Sequence, residues 1–197
     1  GSRYEYSVTQ IKNSGSLTEF EKHVVDPYAR VMLGRGGPGL ALTVNPFTNE
    51  NSFHPPAVQD LIILEAHIRD LLTYAPIELS DDERLGFKGL SKWLKSEDCY
   101  LRELGVNAIE LQPIHEFDAR SKGEYHWGYM SVNFFSPSSS YASNSSDGSA
   151  VTEFKELVEA FHNAGLAVIV DVVYNHVGVP PHLLYLDREL YFLTDEN

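Results

Sequence analysis

Two stretches of this chain hold side chains that could do chemistry together. The first is DVVYNHV at residues 171–177. Its β-branched run reads as a strand that delivers Asp171 near its end and presents Asn175 and His176 on the loop above. A carboxylate and an imidazole placed there can hydrogen-bond sugar hydroxyls, and an Asn carbonyl suits a hard cation or a hydroxyl donor. A plain strand ending in a polar turn is the other reading of the same residues. The second stretch is YHWGYMSVNFFSPSSSYAS at residues 125–143, which gathers Tyr125, Trp127, Tyr129, Phe134, Phe135 and Tyr141. Aromatic faces stack on the apolar faces of pyranose rings, so such a segment can serve as a sugar platform. For Phe134 and Phe135 packing is the preferred reading. For Tyr129, beside Gly128, the ligand-facing reading is stronger.

Other reactive residues are weaker candidates. Glu65 and Glu110 could form a buried carboxylate pair with raised pKa, but acids inside a sheet are more often satisfied by structural partners. His67 and His115, at strand ends, read as structural hydrogen-bonders. His23, His54, His126, His162 and His182 show no zinc-ligand spacing. GRGGPG at 34–39 lacks the Lys-Ser/Thr ending of a phosphate loop. Cys99, the single cysteine, reads as a partly buried helical residue without an activating neighbour.

Three strand patterns, each entered after a loop or a helix, must position these residues. They are DLIILEAHI at 60–68, VNAIELQPI at 106–114 and LAVIVDVVY at 166–174. Between them lie a helical pattern over 90–104, ending at Gly105, and a second over 151–165, ending at Gly165. Thr152 is the expected N-cap of the second helix. A polar loop is expected between the second strand and that helix. The Val/Ile run of the third strand predicts burial on both faces, as parallel sheets covered by helices require. Glu65 and His67 share one parity and Glu110 and Gln112 another, with Asp171 continuing the parity of Ile169. Polar residues near the strands' C-terminal ends fit the mouth of a barrel. The fold class is therefore α/β, of the (β/α)8 TIM-barrel type, with only the first three βα units present. The N-terminal part differs: RYEYSVTQI reads as one short strand, and VMLGRGGPGL and NPFTNENSFHPP read as loop. Residues 1–55 thus read as a short strand piece followed by irregular chain, and 56–197 as the barrel part.

The chain has 197 residues, with 15 Lys and Arg against 28 Asp and Glu, a formal charge of −13. That balance disfavours nucleic acid and anionic lipid as partners. No apolar run approaches the roughly 18–20 residues of a membrane span. Gly1-Ser2 reads as a scar of tag removal and no signal peptide follows it, so the compartment stays open. Three strands of an expected eight occupy nearly the whole chain, which predicts exposed sheet edges and self-association through them.

The segments LEAHIRDL (64–71), LGVNAIELQPIHEF (104–117), YHWGYMSVNFFSP (125–137) and GLAVIVDVVYNHVG (165–178) together resemble the α-amylase superfamily of glycoside hydrolases. The wording WGYMSVNFFSP is closest to its isoamylase, pullulanase and glycogen-debranching branch, and DPYAR (26–30) resembles the join between a sandwich module and the barrel, which implies that residues 1–55 are the end of a β-sandwich, carbohydrate-binding-like module with its linker. The resemblance implies a retaining glycoside hydrolase acting on α-glucans, debranching α-1,6 links in glycogen, starch or pullulan. It implies an Asp nucleophile and a Glu acid/base about 5–5.5 Å apart. Those residues belong to later strands; no Arg here has an Asp two positions on, so no catalytic residue is assigned and the chain alone is expected to be inactive. What carries over is sugar binding: Tyr129 stacking under the cleaved ring, His176 on a ring hydroxyl, Asp171 anchoring the strand end, and Trp127 beside them. Asn175 matches a position that ligates calcium in some members, so calcium is a possible ion and no cofactor is required. A branching enzyme or glucanotransferase, and a non-catalytic α-glucan-binding domain, stay open as alternatives.

Overall fold

Residues 1–10, 20–43 and 53–193 are described by the structure, a computed structural model. At its centre lies a parallel three-stranded sheet of β5 (Ile63–Ala66), β6 (Ala108–Leu111) and β9 (Ala167–Val170), preceded in the chain by four short strands. The register sets Leu64 beside Ile109 and Val168, and Glu65 beside Glu110 and Ile169. Side chains alternate across a strand, so the two rows face opposite sides. The first row packs against α1 (Ile68–Thr73), α2 (Phe87–Leu94) and α3 (Ser149–Asn163), with Ile109, Leu111, Trp93, Leu157 and Phe161 fully buried. The second row carries Glu65, Glu110 and Gln112, with Asp171 just past the end of β9. Glu65 is exposed and Glu110 partly so. The buried carboxylate pair therefore does not form: Glu65 accepts instead from Gln112 Nε2 at 3.1 Å.

Several sequence expectations are corrected. The strands are four residues long rather than nine. Val168, Ile169 and Val170 are only partly buried, because helices cover one side of the sheet. The pattern over 90–104 does not make one helix. Ser96 Oγ donates to the Trp93 carbonyl at 2.7 Å and the Trp93 indole reaches the Asp98 carbonyl at 3.4 Å, which closes α2 early. A separate 3-10 turn follows at Tyr100–Arg102, so Cys99 is not helical; it is buried ahead of that turn, and burial raises its thiol pKa. Thr152 is not the N-cap of α3. The helix begins at Ser149, after Gly148, because Ala150 and Glu153 are already drawn inside. Glu153 accepts from the Ser143 amide and hydroxyl and lies 3.4 Å from Lys88 Nζ.

The expected polar loop after β6 instead contains an antiparallel hairpin, β7 (His115–Phe117) with β8 (Ser131–Pro137), joined by residues 118–130. Val132, Phe134 and Phe135 supply the β-propensity that the polar surroundings mask. In the N-terminal part, RYEYSVTQI splits at Glu5: β1 (Ser2–Tyr4) pairs with β4 (Gly39–Ala41), and β2 (Tyr6–Gln10) pairs with β3 (Phe20–Val24). Of the loop expected at 45–56, residues 45–52 lie outside the described residues. The DPYAR segment is clamped onto β8, where Asn133 Nδ2 donates to the Asp26 carbonyl at 3.1 Å. Two short helices, α4 (His182–Leu186) and α5 (Arg188–Tyr191), end the described chain.

Candidate active-site cleft

The hairpin brings its connecting loop over the C-terminal ends of the sheet strands. Arg69, at the start of α1, holds the near side of that loop. Its buried guanidinium donates to the carbonyls of Lys122 (2.7 Å), Glu124, Ser140 (3.2 Å) and Leu85 (3.0 Å), with the ring of Tyr141 5.1 Å away. A planar fork of five donors on three nitrogens can serve four carbonyls at once, whereas an ammonium group has three donors on one atom. Farther along, Gly128 has φ +88°, and a Cβ there would lie 2.3 Å from the Pro113 carbonyl oxygen. The loop thus passes hard against the end of β6, and only glycine fits.

That close approach delivers Tyr129 to Asp171. The phenol donates to Asp171 Oδ2 at 2.7 Å. This hydrogen bond, then desolvation, then the charges of Asp171, Glu65 and Glu110 push the phenol up to about 12. Tyr129 is therefore a neutral donor at any physiological pH, and the acidic row of the sheet lies close enough to act on it. Asp171 ends the parallel ladder, its amide donating to the Leu111 carbonyl at 3.0 Å. Below this pair His115 is buried, its pKa lowered by desolvation against the pull of Asp171, with Nδ1 lacking a partner.

His176 and Asn175 lie together on the next loop, with His176 Nδ1 2.8 Å from Asn175 Oδ1. An amide oxygen only accepts, so this bond puts the imidazole proton on Nδ1 and leaves Nε2 as an acceptor for an incoming hydroxyl. Asn175 fits calcium poorly. Its oxygen is occupied by His176, a hard cation wants 6–8 oxygens, and no cluster of three or more His, Cys, Asp or Glu able to hold a metal occurs among the described residues. Trp127 stands 61% exposed near Tyr125, whose hydroxyl donates to Asp70 Oδ2 at 2.9 Å. The structure therefore joins Tyr129 to Asp171 and His176 to Asn175, and sets Trp127 near Tyr125 instead of in either pair.

Two contributors escape a reading of the sequence. Arg69 acts through tertiary contacts that no local spacing reveals. His126, noted only as lacking zinc spacing, sets Nε2 3.0 Å from Asp118 Oδ1 and stacks on Phe117. His67 is a structural hydrogen-bonder as expected, its Nε2 lying 3.0 Å from both the His126 carbonyl and the Tyr141 hydroxyl.

Comparison with known proteins identifies the family. A family model described as alpha amylase, catalytic domain, matches residues 78–183. The "Glycogen operon protein GlgX homolog" of Mycobacterium bovis is 33% identical over 177 residues, covering 85% of this chain and 24% of that protein. The "Isoamylase" of a Flavobacterium species is 32% identical over 205 residues, covering 87% of this chain and 26% of that protein. The chain thus spans about a quarter of the length of these curated relatives. A pullulanase from Bacillus acidopullulyticus superposes with a TM-score of 0.75 at 26% identity, over 98% of this chain and 25% of that one. A pullulanase from an Anoxybacillus species, solved with maltotetraose, superposes with a TM-score of 0.73 at 27% identity, over 99% of this chain and 30% of that one. The match to its family model covers more than half of the chain, and the chain belongs to the alpha-amylase catalytic-domain family of glycoside hydrolases.

Proposed function

We propose that this chain is the glucan-binding opening of a retaining debranching hydrolase that acts on α-1,6 links in glycogen, starch or pullulan. The observation that carries the reading is the Tyr129–Asp171 hydrogen bond of 2.7 Å at the end of the parallel sheet. It fixes an aromatic face above the strand ends, where active sites of barrel folds are built. In this reading a glucose ring stacks on Tyr129 and His176 Nε2 accepts one of its hydroxyls. Trp127 offers a second apolar face. Asp171 holds Tyr129 in place and keeps a second oxygen for a hydroxyl donor. The relatives named as isoamylase and pullulanase, and the pullulanase solved with maltotetraose, support the choice of α-glucan. Residues 56–197 are proposed as the N-terminal part of a (β/α)8 barrel, and residues 1–55 as the end of a sandwich-type module.

Glycosidic bond cleavage with retention needs a carboxylate nucleophile and an acid/base beside the scissile bond. Glu65 and Glu110 are ladder neighbours whose face also holds Tyr129 within electrostatic reach, but we assign them no part in bond cleavage. The chain alone is proposed to bind glucan without turnover. Calorimetric titration with maltotetraose, run beside a pullulan hydrolysis assay, tests this. Saturable binding that Tyr129→Ala and His176→Ala each weaken, with no hydrolysis, is expected. Appreciable hydrolysis, or binding that both variants leave unchanged, contradicts it.

A further inference from the structure

Asp118 lies where two loops of the cleft meet. Its Oδ1 lies 3.0 Å from His126 Nε2 in a close polar contact, and its Oδ2 accepts from the Val179 amide at 3.2 Å. Its own amide donates to the Met130 carbonyl at 3.0 Å. One carboxylate therefore touches the loop that carries Trp127 and Tyr129 and the loop that carries Asn175 and His176. The two loops also meet directly. The Gly178 amide donates to the Ser131 carbonyl at 2.8 Å, and a Cβ on Gly178 would come within 2.2 Å of the Met130 carbonyl and 3.1 Å of Asp118 Cβ.

His126 is fixed from every side. Its Nδ1 accepts the Gly128 amide at 2.9 Å, which places the ring proton on Nε2, where it faces Asp118. The ring lies nearly parallel to Phe117, 18° between planes and 4.9 Å between centroids. Its carbonyl lies 3.0 Å from the buried His67 Nε2. The Gly128 amide that it holds belongs to the residue immediately before Tyr129. A chain of polar contacts thus runs from Gly128 through His126 and Asp118 to Val179, three residues past His176.

We infer that Asp118 and His126 form a positioning pair that sets the loop of Tyr129 and the loop of His176 in one fixed relation for glucan binding. Neither residue is assigned a contact with the sugar, and the inference rests on the glucan reading given above. Two acceptor oxygens are required at position 118. An Asn has one, so Asp118→Asn must give up either His126 or Val179.

The test reads amide hydrogen exchange in the full chain together with maltotetraose affinity. His126→Phe keeps a ring to stack on Phe117 but has no ring nitrogen. Residue 126 has no hydrogen bond to Val179; Asp118 touches both, and the direct Gly178–Ser131 contact is read separately at the Gly178 amide, whose exchange should stay near its wild-type rate. Exchange at the Val179 amide is expected to rise about fivefold, the factor that one hydrogen bond of ordinary net strength provides. Exchange on β6 should stay at its wild-type rate. Asp118→Asn, read at the Gly128 amide, supplies the reciprocal measurement if the first variant folds poorly. Both variants are expected to weaken maltotetraose binding by a similar factor. Wild-type exchange at Val179 in His126→Phe, or at Gly128 in Asp118→Asn, overturns the inference. Failure of the unaltered chain to bind maltotetraose would defeat the glucan reading instead, while Val179 exchange still decides the coupling.

Discussion

At the residue scale, the cleft depends on a few groups with several bonds each. Tyr129 has two separable contributions, the ring face and the hydroxyl bond to Asp171. Tyr129→Phe keeps the face and should weaken maltotetraose binding by about fivefold, whereas Tyr129→Ala should abolish measurable binding; calorimetry separates the two. Arg69 makes a different prediction. Its four carbonyl partners lie on three different segments, and no carboxylate pairs with it among the contacts seen. Arg69→Lys leaves at least one of those carbonyls without a donor and should cost roughly 1–3 kcal/mol in urea unfolding. A cost below about 0.5 kcal/mol would mean that water replaces the guanidinium freely. Neither role could be read from the sequence in full. Tyr129 was legible as an aromatic beside a glycine, but nothing local marked Arg69, because its partners are brought to it from residues 85, 122, 124 and 140 by folding.

At the element scale, what repeats with the backbone period was legible and what closes through space was not. The parity of Glu65, Glu110 and Gln112 follows from the two-residue period of a strand, and the ladder puts Glu65 and Glu110 side by side. Strand lengths and the start of α3 were misread, because tertiary packing at Ala150 and Glu153 outweighs the capping preference of Thr152. The β7–β8 hairpin was missed for a related reason. Its strands are bulged and its connection is long and polar, so no tight-turn signature marks it. The connection tolerates little change at Gly128. Gly128→Ala meets both a left-handed backbone and the Pro113 carbonyl, and should lower stability by about 1–3 kcal/mol. Thermal melting checks this, and the same variant should lose maltotetraose binding, since the loop can then no longer seat Tyr129 against Asp171.

At the scale of the whole molecule, buried ionisable groups set the pH dependence of stability. Burial lowers the pKa of His67, His115 and His182. His182 joins the N-terminal part to α4, accepting from the Val25 amide at 3.4 Å and bonding the Arg35 carbonyl at 3.0 Å. For each of these the unfolded chain takes up a proton first, so their contribution is complete above the unfolded pKa of about 6.5 and falls as pH drops. Glu116 has the opposite sign. Burial raises its pKa from 4.5 to about 7, against two hydrogen bonds from Ser139, so its contribution is complete below 4.5 and is lost as pH rises toward 7. Three histidines outweigh one glutamate, and melting temperature should fall from pH 6.5 to pH 5. In Glu116→Gln the opposing contribution disappears, so the variant should gain on the wild type as pH rises through this range. The sheet also ends at β5 and β9, each paired on one side, with Ile62, Ile63 and Val172 exposed along those edges. Concentration-dependent association in sedimentation is the expected consequence, and Ile63→Lys should suppress it. The central claim, however, is that the strand ends and the hairpin loop together make a glucan site. A 15N-resolved NMR titration with maltotetraose tests it most directly. The account predicts saturable shifts at the Trp127 indole, Tyr129, Asp171 and His176, with α2 and α3 unmoved; saturable shifts confined to other surfaces, or none at all, would contradict it.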